Sequence, residues 1–133
     1  MTGGGLSSPS PILLMNKITN NVVFIFLDDV RLPPSLHWKI ARTAEKAYTL
    51  IRQAYDDGYE IVISLDHDLG ENVSPDGIKA VAHTGYDLLS WLEKDIFTEA
   101  SFKPSISFQI HSANPVGCSN MERAIKAIEK RLL

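Results

Sequence analysis

Three short apolar runs punctuate the chain, and each stops abruptly at polar residues. Val22–Leu27 reads VVFIFL and stops at Asp28-Asp29. Residues 61–65 read IVISL and stop at Asp66-His67-Asp68-Leu69-Gly70. Ile106–Ile110 reads ISFQI and stops at His111-Ser112-Ala113-Asn114. The first two runs lack alternation, which predicts strands buried on both faces. Between the runs the period changes. Over residues 38–57 the apolar positions Ile40, Ala44, Ala47, Ile51, Ala54 and Tyr55 recur every three or four residues, predicting an amphipathic helix that Gly58 closes. Thr84 stands three residues before Asp87, as in a capping box, and Leu88, Leu89, Leu92 and Ile96 extend a second helix. Ser119 and Glu122 form an S-x-x-E box, with Met121, Ile125, Ile128 and Leu132 marking a third helix.

Strand–helix alternation of this kind implies right-handed crossovers and a parallel sheet. The expected fold is therefore a small three-layer α/β domain, a reduced flavodoxin-like unit with a short, mostly parallel sheet flanked by helices. Arg31-Leu32-Pro33-Pro34 can continue neither a strand ladder nor a helix and predicts an extended loop. Three strands make a small sheet, and an extra edge strand is expected from residues 16–21 or 73–82. Residues 1–15 read as a disordered leader with Met15 as the natural start, and residues 16–133 as one domain.

Composition narrows the class. The 133 residues suffice for one core, and the formal net charge of -3 lacks the basic stripe of a long nucleic-acid track. A small nucleotide or a short RNA end remains compatible with it. The single cysteine, Cys118, cannot form an internal disulfide. No apolar run approaches the ~20 residues that span a bilayer. Together these point to the cytoplasm.

In open parallel sheets ligands bind at the carboxyl ends of the strands. Asp28, Asp29, Asp66 and Asp68 are thus expected to converge with His67, His111, Ser112 and Asn114 on one edge. Clustered carboxylates repel unless a cation sits among them, and oxygen-rich sets suit Mg2+ or Mn2+. Taken singly, such acids also serve as turn and helix-entry residues. Two histidines can supply a base and an acid across a phosphoester; each can also simply cap a turn. Arg31 is an anion clamp or a salt-bridge partner of Asp28 or Asp29. Ser112 and Asn114 are expected to hold phosphoryl oxygens, aided by N–H groups at the last helix. In an extended Asp66-His67-Asp68 the two carboxylates share a side and the imidazole faces away; all three meet one ligand only if the chain turns there.

The ordered set L-D-D-V-R-L-P-P, I-S-L-D-H-D-L-G, T-G-Y-D and H-S-A-N-P-V-G resembles the cyclic-phosphate processing receiver-like domain family from about Val22 onward. The resemblance implies a receiver-related α/β fold that handles cyclic phosphates, such as nucleotides or RNA 2′,3′-cyclic ends. It implies a site of Asp28, Asp29, Arg31, Asp66, His67, Asp68, His111 and Asn114. Signalling receivers are similar in Asp28-Asp29, Asp66 and Ser112, but no strand with a lysine follows the last helix. The leading expectation is a phosphoesterase with Asp66, His67 and His111 catalytic, Arg31, Ser112 and Asn114 binding substrate, and Asp28, Asp29, Asp66 and Asp68 holding a metal. The alternatives are a metal-binding or phospho-accepting regulatory module without enzymatic activity, and a module that binds cyclic phosphate without cleaving it.

Overall fold

The computed structural model describes residues 21–73, 76–77 and 79–133. In chain order the elements are β1 (Val22–Leu27), β2 (Trp38–Ala41), α1 (Ala44–Asp56), β3 (Glu60–Leu65), β4 (Glu71–Val73), β5 (Lys79–Val81), α2 (Gly85–Thr98), β6 (Ile106–Ile110) and α3 (Pro115–Leu132). Four strands form one parallel sheet in the order β2-β1-β3-β6. The parallel α/β sheet is as the apolar runs predict, its receiver-like fold is as the resemblance implies, and those three runs are β1, β3 and β6.

The fourth strand has an origin the sequence pattern misses. Trp38–Ala41 does not begin the first helix but forms the edge strand β2, with Phe24 opposite Trp38 and Leu27 opposite Ala41. Helix α1 starts only after Thr43, whose hydroxyl accepts the Lys46 N–H and so caps it. Residues 73–82 contribute to a separate antiparallel pair, β4 with β5, and not to the main sheet. Residues 16–20 and the expected leader lie outside the described residues.

Helix α1 ends as expected, with Gly58 at a φ of +79°. The Thr84–Asp87 capping box is present at the start of α2. Helix α3 begins earlier than Ser119. Asn114 caps it by accepting the Gly117 N–H, and Pro115 occupies the first turn, where its missing donor costs nothing.

Strand register sorts the side chains onto two faces. Val23, Ile25, Leu27, Ile61, Ile63 and Leu65 share one face, and buried residues of all three helices join them in a single cluster. Fully burying each such side chain contributes about 1.5–3 kcal/mol. Phe24, Phe26, Trp38, Ile40, Val62 and Ser64 share the opposite face and take no part in that cluster. Among the described residues no helix covers this second face, so the expected helical layer is present on one side only. Handedness explains this. The return from β1 to β2 runs toward one edge, while α1 and α2 carry the chain the other way, so a right-handed return must cross the opposite face. Here that return is the loop of residues 28–37. The His37 ring at its end packs on Phe24, with centroids 4.6 Å apart.

Candidate functional site

Chain direction reverses between β1 and β3. β1 leads outward to β2, whereas β3 leads the other way to β6. Such a switch point opens a crevice at the carboxyl ends of the two strands. Asp28 and Asp29 follow β1, and Asp66 follows β3. One oxygen from each of these three carboxylates lies within 4.8 Å of the others.

Asp28 is fully buried and completely engaged. Its Oδ1 accepts the N–H groups of Val30 and Arg31 at 2.9 and 2.8 Å, turning the chain sharply after β1. Its Oδ2 lies 3.0 Å from His111 Nε2 and 3.7 Å from the Arg31 guanidinium. Burial alone would raise the Asp28 pKa; the Arg31 and Val30 N–H groups and His111 outweigh it and hold the pKa below the usual value. Asp66 is different. It is 8% exposed, yet no described residue hydrogen-bonds its carboxylate. Asp29 likewise has no hydrogen-bond partner among the described residues. Gly70 keeps Asp29 in place: its φ is +77°, and a Cβ there would sit 2.9 Å from Asp29 Oδ2.

A buried carboxylate without a partner beside two others is costly unless a cation accompanies it. The trio could therefore hold a metal, and its all-oxygen donor set fits a hard divalent cation such as Mg2+ or Mn2+. Asp68 stands outside this trio. The chain bends at His67, so Asp66 and Asp68 part instead of sharing a side. The Asp68 carboxylate receives His67 Nδ1 at 2.8 Å and the Asn114 amide at 3.2 Å. The His67 hydrogen bond chiefly, and Asn114 secondarily, lower its pKa against the effect of burial.

His67 and His111 differ in what they leave free. His111 Nδ1 meets Ser64 Oγ at 2.7 Å and its Nε2 meets Asp28, while its ring stacks on Phe26 at 4.4 Å. Both of its nitrogens are spoken for. His67 is bound only through Nδ1; its Nε2 has no partner among the described residues. Gly117 makes room for the His67 ring, since a Cβ at that position would stand 2.5 Å from the imidazole. Gly85 does the same for the backbone, where a Cβ would stand 2.2 Å from the Asp66 carbonyl.

Arg31 donates to the His111 carbonyl at 3.0 Å, and its side chain remains half exposed. It lies 3.7 Å from Asp28, as the salt-bridge expectation has it, and its side chain still faces solvent. Ser112 Oγ accepts the Asn114 N–H, and the Asn114 side chain caps α3 while donating to Asp68, so both have partners inside the fold. The cap on Gly117 and the absent donor of Pro115 leave Val116 as the open N–H of that first turn. Sequence reasoning missed Ser64, hidden inside β3, and Arg42, which ties down the loop by donating to the carbonyls of Asp28 and Arg31. No sequence signal marks Ser64, whose part depends on its hydrogen bond to His111.

The fold and the switch-point acids define a receiver-like α/β domain with a carboxylate site at its sheet edge. The family model for the cyclic-phosphate processing receiver domain matches residues 23–127, and the chain belongs to that family. No curated protein and no solved structure matches it. Among the described residues no helix is long and apolar enough to cross a membrane.

Proposed function

We propose that this protein is a phosphoesterase that opens a cyclic phosphate, with His67 as its proton carrier. The observation that carries the reading is the open Nε2 of an imidazole oriented by Asp68, on the residue that directly follows Asp66 of the Asp28–Asp29–Asp66 trio. In this reading His67 Nε2 takes a proton from an attacking water as the new P–O bond forms. One ring P–O bond breaks, and the leaving oxygen receives that proton. Asp68 fixes the imidazole tautomer, and Asn114 acts through Asp68. Arg31 faces a nonbridging oxygen, with the Val116 N–H and Ser112 close to the same edge. His111 positions Asp28 and does not itself exchange a proton with substrate. A divalent cation held by Asp28, Asp29 and Asp66 would supply charge opposite the phosphate. The free thiol of Cys118 suits a cytoplasmic setting.

The test is turnover of 2′,3′-cyclic and 3′,5′-cyclic nucleotides and a cyclic-phosphate RNA end, with Mg2+, Mn2+ or chelator. Hydrolysis of at least one substrate, lost in His67→Ala, supports the reading. Tight binding with no turnover would make the protein a cyclic-phosphate binding module instead. A regulatory reading has one observation in its favour, the place of Asp66 at the end of a central strand beside two further acids. A small phosphodonor with Mg2+ would then add an acid-labile phosphoryl group to Asp66.

A further inference from the structure

The sheet face on which no helix lies among the described residues carries a row of rings that leads away from the acidic edge. His111, bonded to Asp28, stacks on Phe26 with an interplanar angle of 4°. Phe26 meets Trp38 at 6.1 Å, Trp38 meets Phe24 at 5.4 Å, and Trp38 stacks against His37 at 5.9 Å. Phe24, Trp38 and His37 are partly or largely exposed. The crossing loop does not bury its own apolar side chains here: Leu32 and Leu36 are exposed. Across the sheet the same face bears two exposed polar residues, Ser107 and Gln109, opposite Val62 and Ser64.

Phe26 is itself buried, but core packing does not account for Phe24, Trp38 and His37, which stand outside the core cluster and remain accessible. Aromatic rings that remain accessible, with hydrogen-bonding side chains beside them, form the kind of surface on which unpaired bases stack. The spacing makes the occupant more specific. Phe24 and its register partner Trp38 lie four residues before Asp28 along β1, or about 13 Å at ~3.3 Å per residue. That exceeds the reach of a base whose own phosphate sits at the acidic edge, but it suits the base of the preceding nucleotide. The chain's net negative charge disfavours a longer track.

We propose that Trp38, with Phe24 and His37, stacks the penultimate base of a short single-stranded nucleic acid whose cyclic phosphate end lies at the Asp66 edge. This rests on the phosphoesterase reading and names its substrate class: an oligonucleotide end in preference to a free cyclic mononucleotide.

The experiment compares a dinucleotide bearing a 2′,3′-cyclic phosphate with the same molecule lacking the first base, and with the cyclic mononucleotide. Turnover is read in the full chain and in Trp38→Leu. The expected result is a KM lower by about 5- to 150-fold for the intact dinucleotide, with kcat similar, and loss of that advantage in Trp38→Leu. Binding is read separately in Trp91→Phe, where Trp38 is the remaining tryptophan. Its fluorescence should change with a dinucleotide 3′-phosphate and not with the abasic analogue. Equal KM values for all three substrates, together with an unchanged Trp38 signal, would overturn the inference while leaving the phosphoesterase reading intact. A base-dependent Trp38 signal without turnover would support the stacking surface and count against the phosphoesterase. If Trp38→Leu fails to fold, the Trp38 signal in Trp91→Phe decides alone.

Discussion

Two aspartate–histidine pairs flank the same strand ends, and they are built oppositely. Asp28 and His111 form a closed pair: the acid is fully buried, both imidazole nitrogens are bonded, and the ring is stacked on Phe26. Asp68 and His67 form an open pair: the acid is 66% exposed and one imidazole nitrogen has no hydrogen-bond partner among the described residues. The difference follows from where each pair sits. The first is clamped between β1 and β6 on the sheet, where unsatisfied polar atoms are costly. The second lies on a bend supported by α3, where water can complete the shell. Closed pairs hold a fold in shape; open ones can exchange protons.

The largest expected effect is on turnover. His67→Ala should lower kcat for a cyclic phosphate by about 10²- to 10⁴-fold, as loss of a general base does, with a stability change under about 1 kcal/mol by denaturant midpoint. The converse variant, Asp28→Ala, should cost about 3 kcal/mol of stability, because two backbone N–H groups and a partly buried imidazole lose their acceptor together. If it unfolds at the same denaturant concentration as wild type, the closed pair is not structural.

Gly117→Ala sharpens the contrast by targeting the open pair's support. The new methyl would collide with the His67 ring, so turnover should fall about 10-fold or more while the Asp28 pair is untouched. Acid distinguishes the pairs more gently. Because the folded-state pKa of Asp28 is lowered, its contribution to stability is complete above the usual aspartate range and is lost as pH falls through the lowered value. Stability should therefore drop on acidification, and Asp28→Asn should flatten that drop. The smallest effect belongs to His83 and Glu45, an exposed pair whose side chains bond each other and none of the site residues. The Glu45 hydrogen bond chiefly raises the His83 pKa, so any stabilisation is present at low pH and lost as pH rises through that raised value. His83→Ala should leave the denaturant midpoint close to that of wild type, because solvent screens an exposed pair, and should leave turnover unchanged.

Much of the fold could be read from the chain because burial dictates it. Continuous apolar runs specify β1 and β3, an alternating one specifies β6, and the acids that end the first two lie at the switch point because strand ends must. The edge strand was hidden by coincidence: Ile40 and Ala44 are four apart, which imitates a helix although Trp38–Ala41 pairs with β1. That no second helical layer is found among the described residues follows from a crossing loop, with Pro33 and Pro34, where a helix would otherwise lie, and a pattern of apolar positions does not report which face a loop crosses. The site residues were legible as types but not as partners. Asp66-His67-Asp68 looks like one ligand set in sequence, yet a bend sends Asp66 to Asp28 and Asp29 and sends Asp68 to His67 and Asn114. Ser64 carries no signal in sequence because its role depends on His111, 47 residues away.

The division of labour between the two histidines is tested most directly by pH–rate profiles of wild type, His67→Ala and His111→Asn on one cyclic-phosphate substrate. The account predicts that the titrating limb of wild type disappears in His67→Ala and persists, at reduced amplitude, in His111→Asn. A limb that survives loss of His67 and vanishes with His111 would contradict it.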